Sequence, residues 1–249
     1  MITIKSKEEI EKMRQSGKIA ALILHEIADA AQPGVKTSQL NELAEKLIKV
    51  HGVEAAFKGY QKFPASLCAS INDVVVHGVP DETELKEGDV LGLDFGVVYD
   101  GWYSDTAITL GVGNISHEAS RIIKVAKKAL RLGIKKAKPG NTTQDIGNTI
   151  QRYVEDEGFH VVRELVGHGI GRNLHEDPSV PNYGKRHLGT VLEEGMVIAI
   201  EPMIVAGPPL LELHADEFGY KSKHKFLTAH FEHTVAITAD ASLVLTETD

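Results

Sequence analysis

One order of elements occurs twice along this chain, and that repetition limits the possible folds. "SKEEIEKMRQSGKIAALILHEIADAAQPG" opens with a capping box, Ser6 with Glu9, and places Ile10, Met13, Ile19, Ile23 and Ile27 at helical spacing. Pro33-Gly34 stops that helix. A second helix is expected from Thr37 to His51, followed by the strand-like runs "LCASINDVVV" and "DVLGLDFGVVYDGWYSDTAITLGVG". The second half starts over. "SHEASRIIKVAKKALRLGIKKAKPG" reads as a helix stopped by Pro139-Gly140, and "TTQDIGNTIQRYVEDEG" as another helix. "GMVIAIEPMIV", "KFLTAHFEHTVAIT" and "SLVLTE" then read as strands. No short period marks a solenoid. The expected fold class is α+β, a pseudo-two-fold duplication with helices packed over a curved antiparallel sheet. No Ser- or Pro-rich linker parts the halves, so residues 1–249 are expected to form a single domain with halves 1–112 and 113–249. The site is expected between them.

Composition narrows the function. Apolar residues make up 42% and charged residues 25%, an ordinary globular balance. The formal charge of −8 argues against DNA or other nucleic-acid backbones as partners. The single cysteine, Cys68, allows no intrachain disulfide and fits a reducing cytoplasm. "MITIKSKEEIEKM" lacks the apolar core of a signal peptide, and no window approaches the roughly 18 apolar residues of a membrane span.

In "GLDFGVVYDGWYSDTAI", Asp100-Gly101 is a two-residue hairpin signal. With that turn, Asp105 stands opposite Gly96, and Asp94 lies two residues away on the same face. Diagonal neighbours have Cα atoms about 7–8 Å apart, so the carboxylates can converge. Like charges on one face destabilise a hairpin unless a cation lies between them. The context is apolar (Leu91, Leu93, Phe95, Val97), where a lone buried charge is too costly. "GMVIAIEPMIV" repeats the pattern, with an apolar run into Glu201 and Pro202 breaking the ladder. In "KFLTAHFEHTVAIT" alternation puts Glu232 on a polar face with Thr228, His230 and Thr234, which by itself reads as a solvated face. "LVGHGIGRNLHEDPSVPNYG" holds His168 among glycines and His175 seven residues on. Pro178 and Pro181 follow instead of a helix, so this is no phosphate-cradling loop. Glycines allow close backbone approach and leave an imidazole open to a ligand.

Asp94, Asp105, His168 in "GHGIG", His175 in "HEDP", Glu201 in "IEPM" and Glu232 in "FEHT" form an ordered set with specific spacings. The set resembles the type I methionine aminopeptidases, M24-type metallopeptidases of the pita-bread fold, and the resemblance covers essentially the whole chain. "INDVVVHGVP" is similar to the family segment bearing an active-site histidine, here His77.

The resemblance implies two divalent ions (Co2+, Mn2+, Fe2+ or Zn2+) held by Asp94, Asp105, His168, Glu201 and Glu232, with Asp105 and Glu232 bridging. Four carboxylates and one imidazole suit such ions independently of the family. It further implies a hydroxide shared by the two ions that attacks the peptide carbonyl. Glu201 relays the proton, His175 stabilises the oxyanion, and His77 contacts the scissile amide or leaving amine. Tyr60, Phe63 and Cys68 match the methionine pocket. Phe218 stands where many relatives carry tryptophan, Leu174 where an aromatic is common, and Phe57 where a small residue is common. "AGPPLLELHADEFGY" departs from common relatives and is expected to be a surface strand. The implied substrate is the N-terminal methionine of nascent polypeptides. The implied setting is a cytoplasmic monomer that docks on the ribosome and meets no membrane. The alternatives on the same fold are an Xaa-Pro aminopeptidase or prolidase, which usually carries a separate N-terminal domain, and a non-catalytic binding protein, which typically loses metal ligands.

Overall fold

The computed structural model describes residues 2–248. The first half opens with α1 (Lys7–Ala30) and α2 (Thr37–His51). Then come β1 (Glu54–Ala55), β2 (Leu67–Ile71), β3 (Val74–Val76), β4 (Val90–Tyr99) and β5 (Trp102–Gly111). The second half has α3 (His117–Ile134), α4 (Thr143–Asp156), β6 (His160–Val161), β7 (Gly167–Gly169) and β8 (Glu176–Val180). It continues with β9 (Val197–Ile200), β10 (Met203–Val205), β11 (Leu211–Leu213) and β12 (Tyr220–Ser222). β13 (Thr228–His230), β14 (Glu232–Ile237) and β15 (Ser242–Val244) complete it. None of these helices is long and apolar enough to cross a membrane among the described residues.

Local chemistry sets the helix ends. Ser6–Glu9 and Thr142–Asp145 form reciprocal capping boxes, and Ser116 caps α3. α3 ends at Ile134, earlier than the Pro139-Gly140 stop expected from sequence. The chain tightens there: the N–H groups of Lys136 and Ala137 bond to the carbonyls of Gly133 and Ile134, and Ala137 turns into the core.

A nine-stranded sheet runs β1-β4-β5-β14-β9-β7-β8, with β2 on β4 and β15 on β14. Two three-stranded sheets, β13-β10-β6 and β11-β12-β3, flank it. The halves join where β5 pairs with β14 (Glu232↔Ala107). Alternation assigns the faces. Leu91, Leu93, Phe95 and Val97 pack with Ile23, Leu24, Ile27 and Leu40 under α1 and α2. Ile198, Ile200, Val235 and Ile237 pack with Ile122, Ile146 and Ile150 under α3 and α4. The remaining parity of the same strands, Asp94, Asp105 and Glu232 included, faces away from both helical layers.

The duplication extends to individual hydrogen bonds. Gly34 donates to Leu85 and Gly140 to Leu192; Thr37 donates to Thr83 and Thr143 to Thr190; Gly88 donates to Val112 and Gly195 to Ile237. The segments "TELKEGDVLGLD" (83–94) and "TVLEEGMVIAIE" (190–201) therefore correspond residue for residue. They end on Asp94 and Glu201.

Candidate active site and metal centre

Strand register brings the acidic residues together. The β4–β5 ladder pairs Gly96 with Asp105 and Asp94 with Ala107, the pairing that the Asp100-Gly101 turn predicts. Across β5, Ala107 pairs with Glu232, so Asp94, Asp105 and Glu232 share one face. Glu201 follows β9, at the break that Pro202 makes before β10.

Glu232 is 2% exposed, which overturns its reading as part of a solvated face. Thr228, His230 and Thr234 are buried with it. Alternation separates polar from apolar faces, but here both faces are covered.

His168 sits in the middle of β7. A Cβ on Gly167 would collide with the Ala199 carbonyl of β9, and one on Gly169 with the Asp177 carbonyl of β8. The two glycines serve close strand packing, and the imidazole between them is held rather than loose. His168 Nδ1 donates to the Gly169 carbonyl at 2.9 Å, which leaves the Nε2 lone pair free for a ligand. Nε2 lies 3.7 Å from Glu201 Oε1 and 4.0 Å from Asp105 Oδ2. Donor atoms of Asp105, His168 and Glu232 converge within 4.8 Å of one another.

The electrostatics call for cations. Among the described residues, Asp94 Oδ1, Asp105 Oδ1 and Glu232 Oε1 are buried without a hydrogen-bond partner. Burial raises Asp94 to about 6 and Glu201 to about 8. Burial, then neighbouring carboxylates, pushes Asp105 and Glu232 well above the carboxylate range. Burial, then His175, lowers His168 to about 3 and keeps it a neutral ligand. Four buried carboxylates this close cannot all ionise without positive charge among them, so the residues present fit divalent ions.

The carboxylates form the floor of a cavity of about 420 Å³ lined by Tyr60, Phe63, Cys68, His77, His175 and Phe218, with Phe57 and Leu174 also on its wall. Every residue singled out from the sequence lies here. Phe63 and Phe218 meet edge-on with centroids 5.5 Å apart. His175 Nδ1 and the Tyr60 hydroxyl are 2.8 Å apart, and the two rings stack. His77 has φ +60°, a left-handed conformation rare outside glycine, and a Cβ on the adjacent Gly78 would strike the Ala69 carbonyl. The His77 ring lines the cavity and is exposed; desolvation by the surrounding protein, then His230, lowers it to about 4.

The expected surface strand in "AGPPLLELHADEFGY" is a hairpin, β11–β12, added to β3. Asp216 at its tip accepts from the N–H groups of Val79, Phe218 and Gly219, tying Phe218 to the His77 segment. A larger hollow of about 780 Å³ lies against β7–β8 and holds the Lys5–Glu176 ion pair. There the acid already has its cation.

The sequence pattern of metallopeptidase family M24 matches residues 11–239. The chain belongs to metallopeptidase family M24. Within family M24 it is 46% identical to the methionine aminopeptidase of Clostridium perfringens over 99% of both chains. It superposes on the crystal structure of methionine aminopeptidase from Rickettsia prowazekii with a TM-score of 0.98 at 41% identity, covering 99% of this chain and 100% of that one. A prolidase from Pyrococcus horikoshii is more distant, with a TM-score of 0.80 at 27% identity, and this chain spans 64% of it. The pita-bread architecture is common to these M24 members.

One buried residue of the site went unassigned in the sequence. His230 Nε2 lies 3.6 Å from Glu201 Oε2 and 3.8 Å from Glu232 Oε2. The available signal was its position on the same alternation face as Glu232.

Proposed function

We propose that this protein is a metal-dependent methionine aminopeptidase. The observation that carries the reading is the convergence of unpartnered buried carboxylate oxygens with His168 at the floor of an aromatic-walled cavity. Asp94, Asp105, His168, Glu201 and Glu232 would hold two divalent ions. Ions of this kind acidify water to neutral pH, polarise a carbonyl and anchor a free amine.

The protein's own groups do the rest. Glu201, ionised as a ligand of the ions, would accept and relay the proton released as the carbonyl is attacked. The Tyr60 hydroxyl lies 2.8 Å from His175 Nδ1; in the tautomer in which that hydroxyl donates, Nε2 keeps its proton and can donate to the developing oxyanion. Burial lowers the His175 pKa and favours that neutral donor. His77, fixed by its strained backbone, contacts the scissile amide. Phe63, Phe218, Tyr60 and Cys68 form the wall for a methionine side chain, where thioether–aromatic contact is favourable.

The two halves act as one catalytic domain, since each supplies donors to a single floor. The same reading makes nascent chains at the ribosome the substrate source, and the enzyme a cytoplasmic monomer.

A side-by-side assay tests it. Protein loaded with Mn(II) or Co(II) is expected to release methionine from a Met-Ala-Ser peptide and to leave its N-acetylated form and Xaa-Pro peptides intact. Preferential cleavage of Xaa-Pro would move the protein to the prolidase activity. Equal cleavage of the blocked peptide would remove the amine anchor.

A further inference from the structure

His230 ends β13 and is 4% exposed. Its Nε2 is buried without a hydrogen-bond partner among the described residues. That atom lies 3.6 Å from Glu201 Oε2 and 3.8 Å from Glu232 Oε2, beyond hydrogen-bond reach. His168 Nε2 keeps similar separations, 3.7 Å and 4.0 Å, from Glu201 Oε1 and Asp105 Oδ2. Donors that each lie about 2.0–2.2 Å from one ion are themselves roughly 3–4 Å apart. The two imidazoles thus address opposite oxygens of Glu201, and Glu201, His230 and Glu232 form a second convergent donor group.

The main chain fixes this placement. The Thr109 hydroxyl donates to the His230 carbonyl at 2.6 Å and accepts from its N–H at 2.9 Å.

The duplication gives independent support. In the first half, Gly96, two residues beyond Asp94, pairs with Asp105. In the second, Met203, two residues beyond Glu201, pairs with His230. The matching bonds Gly88 to Val112 and Gly195 to Ile237 set the same frame on both ladders. His230 therefore occupies in one half the place that Asp105 occupies in the other.

We propose that His230 is a sixth side chain of the metal centre, its Nε2 a second nitrogen donor to the ion held by Glu201 and Glu232. This rests on the metal-centre reading above. A second imidazole tilts the centre away from Mn(II) and toward ions that favour nitrogen, such as Fe(II), Ni(II) and Zn(II).

The test is Co(II) and Mn(II) titration of the full chain and of His230→Gln, followed by calorimetry and by visible absorption of the Co(II) forms. His230→Gln is expected to lose at least about tenfold in affinity for one of two ions, more for Co(II) than for Mn(II), and to shift the Co(II) spectrum. Unchanged affinities with an unchanged spectrum would overturn the proposal. Should the variant fail to fold, the wild type decides by proton NMR. Its Co(II) form is expected to show two exchangeable, paramagnetically shifted imidazole N–H signals, and a single signal overturns the proposal. Wild-type protein that takes up no divalent ion would sink both this inference and the metal-centre reading. Two ions in the wild type with identical behaviour in His230→Gln would sink this inference alone.

Discussion

Tyr60 lies on the cavity wall, yet its hydroxyl bonds His175. Tyr60→Phe keeps the aromatic wall and removes that bond. The expected result is a drop in kcat of about tenfold, the worth of one hydrogen bond in a barrier, with KM nearly unchanged. A change confined to KM would make Tyr60 a wall residue only. Asp105→Asn removes charge from the most crowded position. It should reduce metal affinity and turnover by more than the roughly 10–100-fold that loss of an outer partner costs, and so lower the bound metal. Wild-type metal stoichiometry in that variant would take Asp105 out of the centre. At this scale the sequence was readable where register could be counted: Asp105 opposite Gly96 followed from the Asp-Gly turn alone. Alternation by itself put Glu232 on a solvated face, because polarity on one face of a strand does not reveal what covers that face; only the resemblance placed it among the metal ligands. His230 was visible on the same face but had no motif to mark it.

At the scale of elements, the glycines around His168 are explained by neighbouring strands. Alanine at Gly169 would drive a methyl into the Asp177 carbonyl and open the β7–β8 pairing. Overpacking of this kind costs roughly 1–3 kcal/mol, so Gly169→Ala should melt several degrees lower by calorimetry and bind metal more weakly. An unchanged Tm would mean that the strands can part without cost. This hairpin was not legible in sequence, since its glycines and prolines carry no alternation. The helices were legible because capping boxes and 3.6-residue spacing are local properties. The assignment of β10 and β13 to a separate small sheet depends on Pro202 and Phe231 interrupting the ladders, a consequence of tertiary packing.

For the whole molecule, the buried carboxylates tie stability to pH and to metal. Unfolded Asp and Glu titrate near 4. In the metal-free fold Asp94 is raised to about 6 and Glu201 to about 8. A raised carboxyl contributes its stability below the unfolded value and loses it as pH rises through the folded value. Metal-free protein should therefore lose this contribution between about pH 4 and 8. The rise in Tm on adding Mn(II) should grow across the same window, because cations offset charges that proton loss exposes. Scanning calorimetry with and without Mn(II) at pH 5, 6.5 and 8 measures it; a metal-induced rise that is equal at all three would contradict the linkage.

The division of donors between halves has a consequence for timing. Asp94 and Asp105 emerge with the first half, but Glu232 lies on β14, after α3, α4 and β6 to β13. A growing polypeptide carries the two aspartates through synthesis of α3 to β13 and can complete the donor set only once β14 has been made. Metal capture would then wait for β14, and a chain truncated or stalled before it would leave the cell's metal supply untouched.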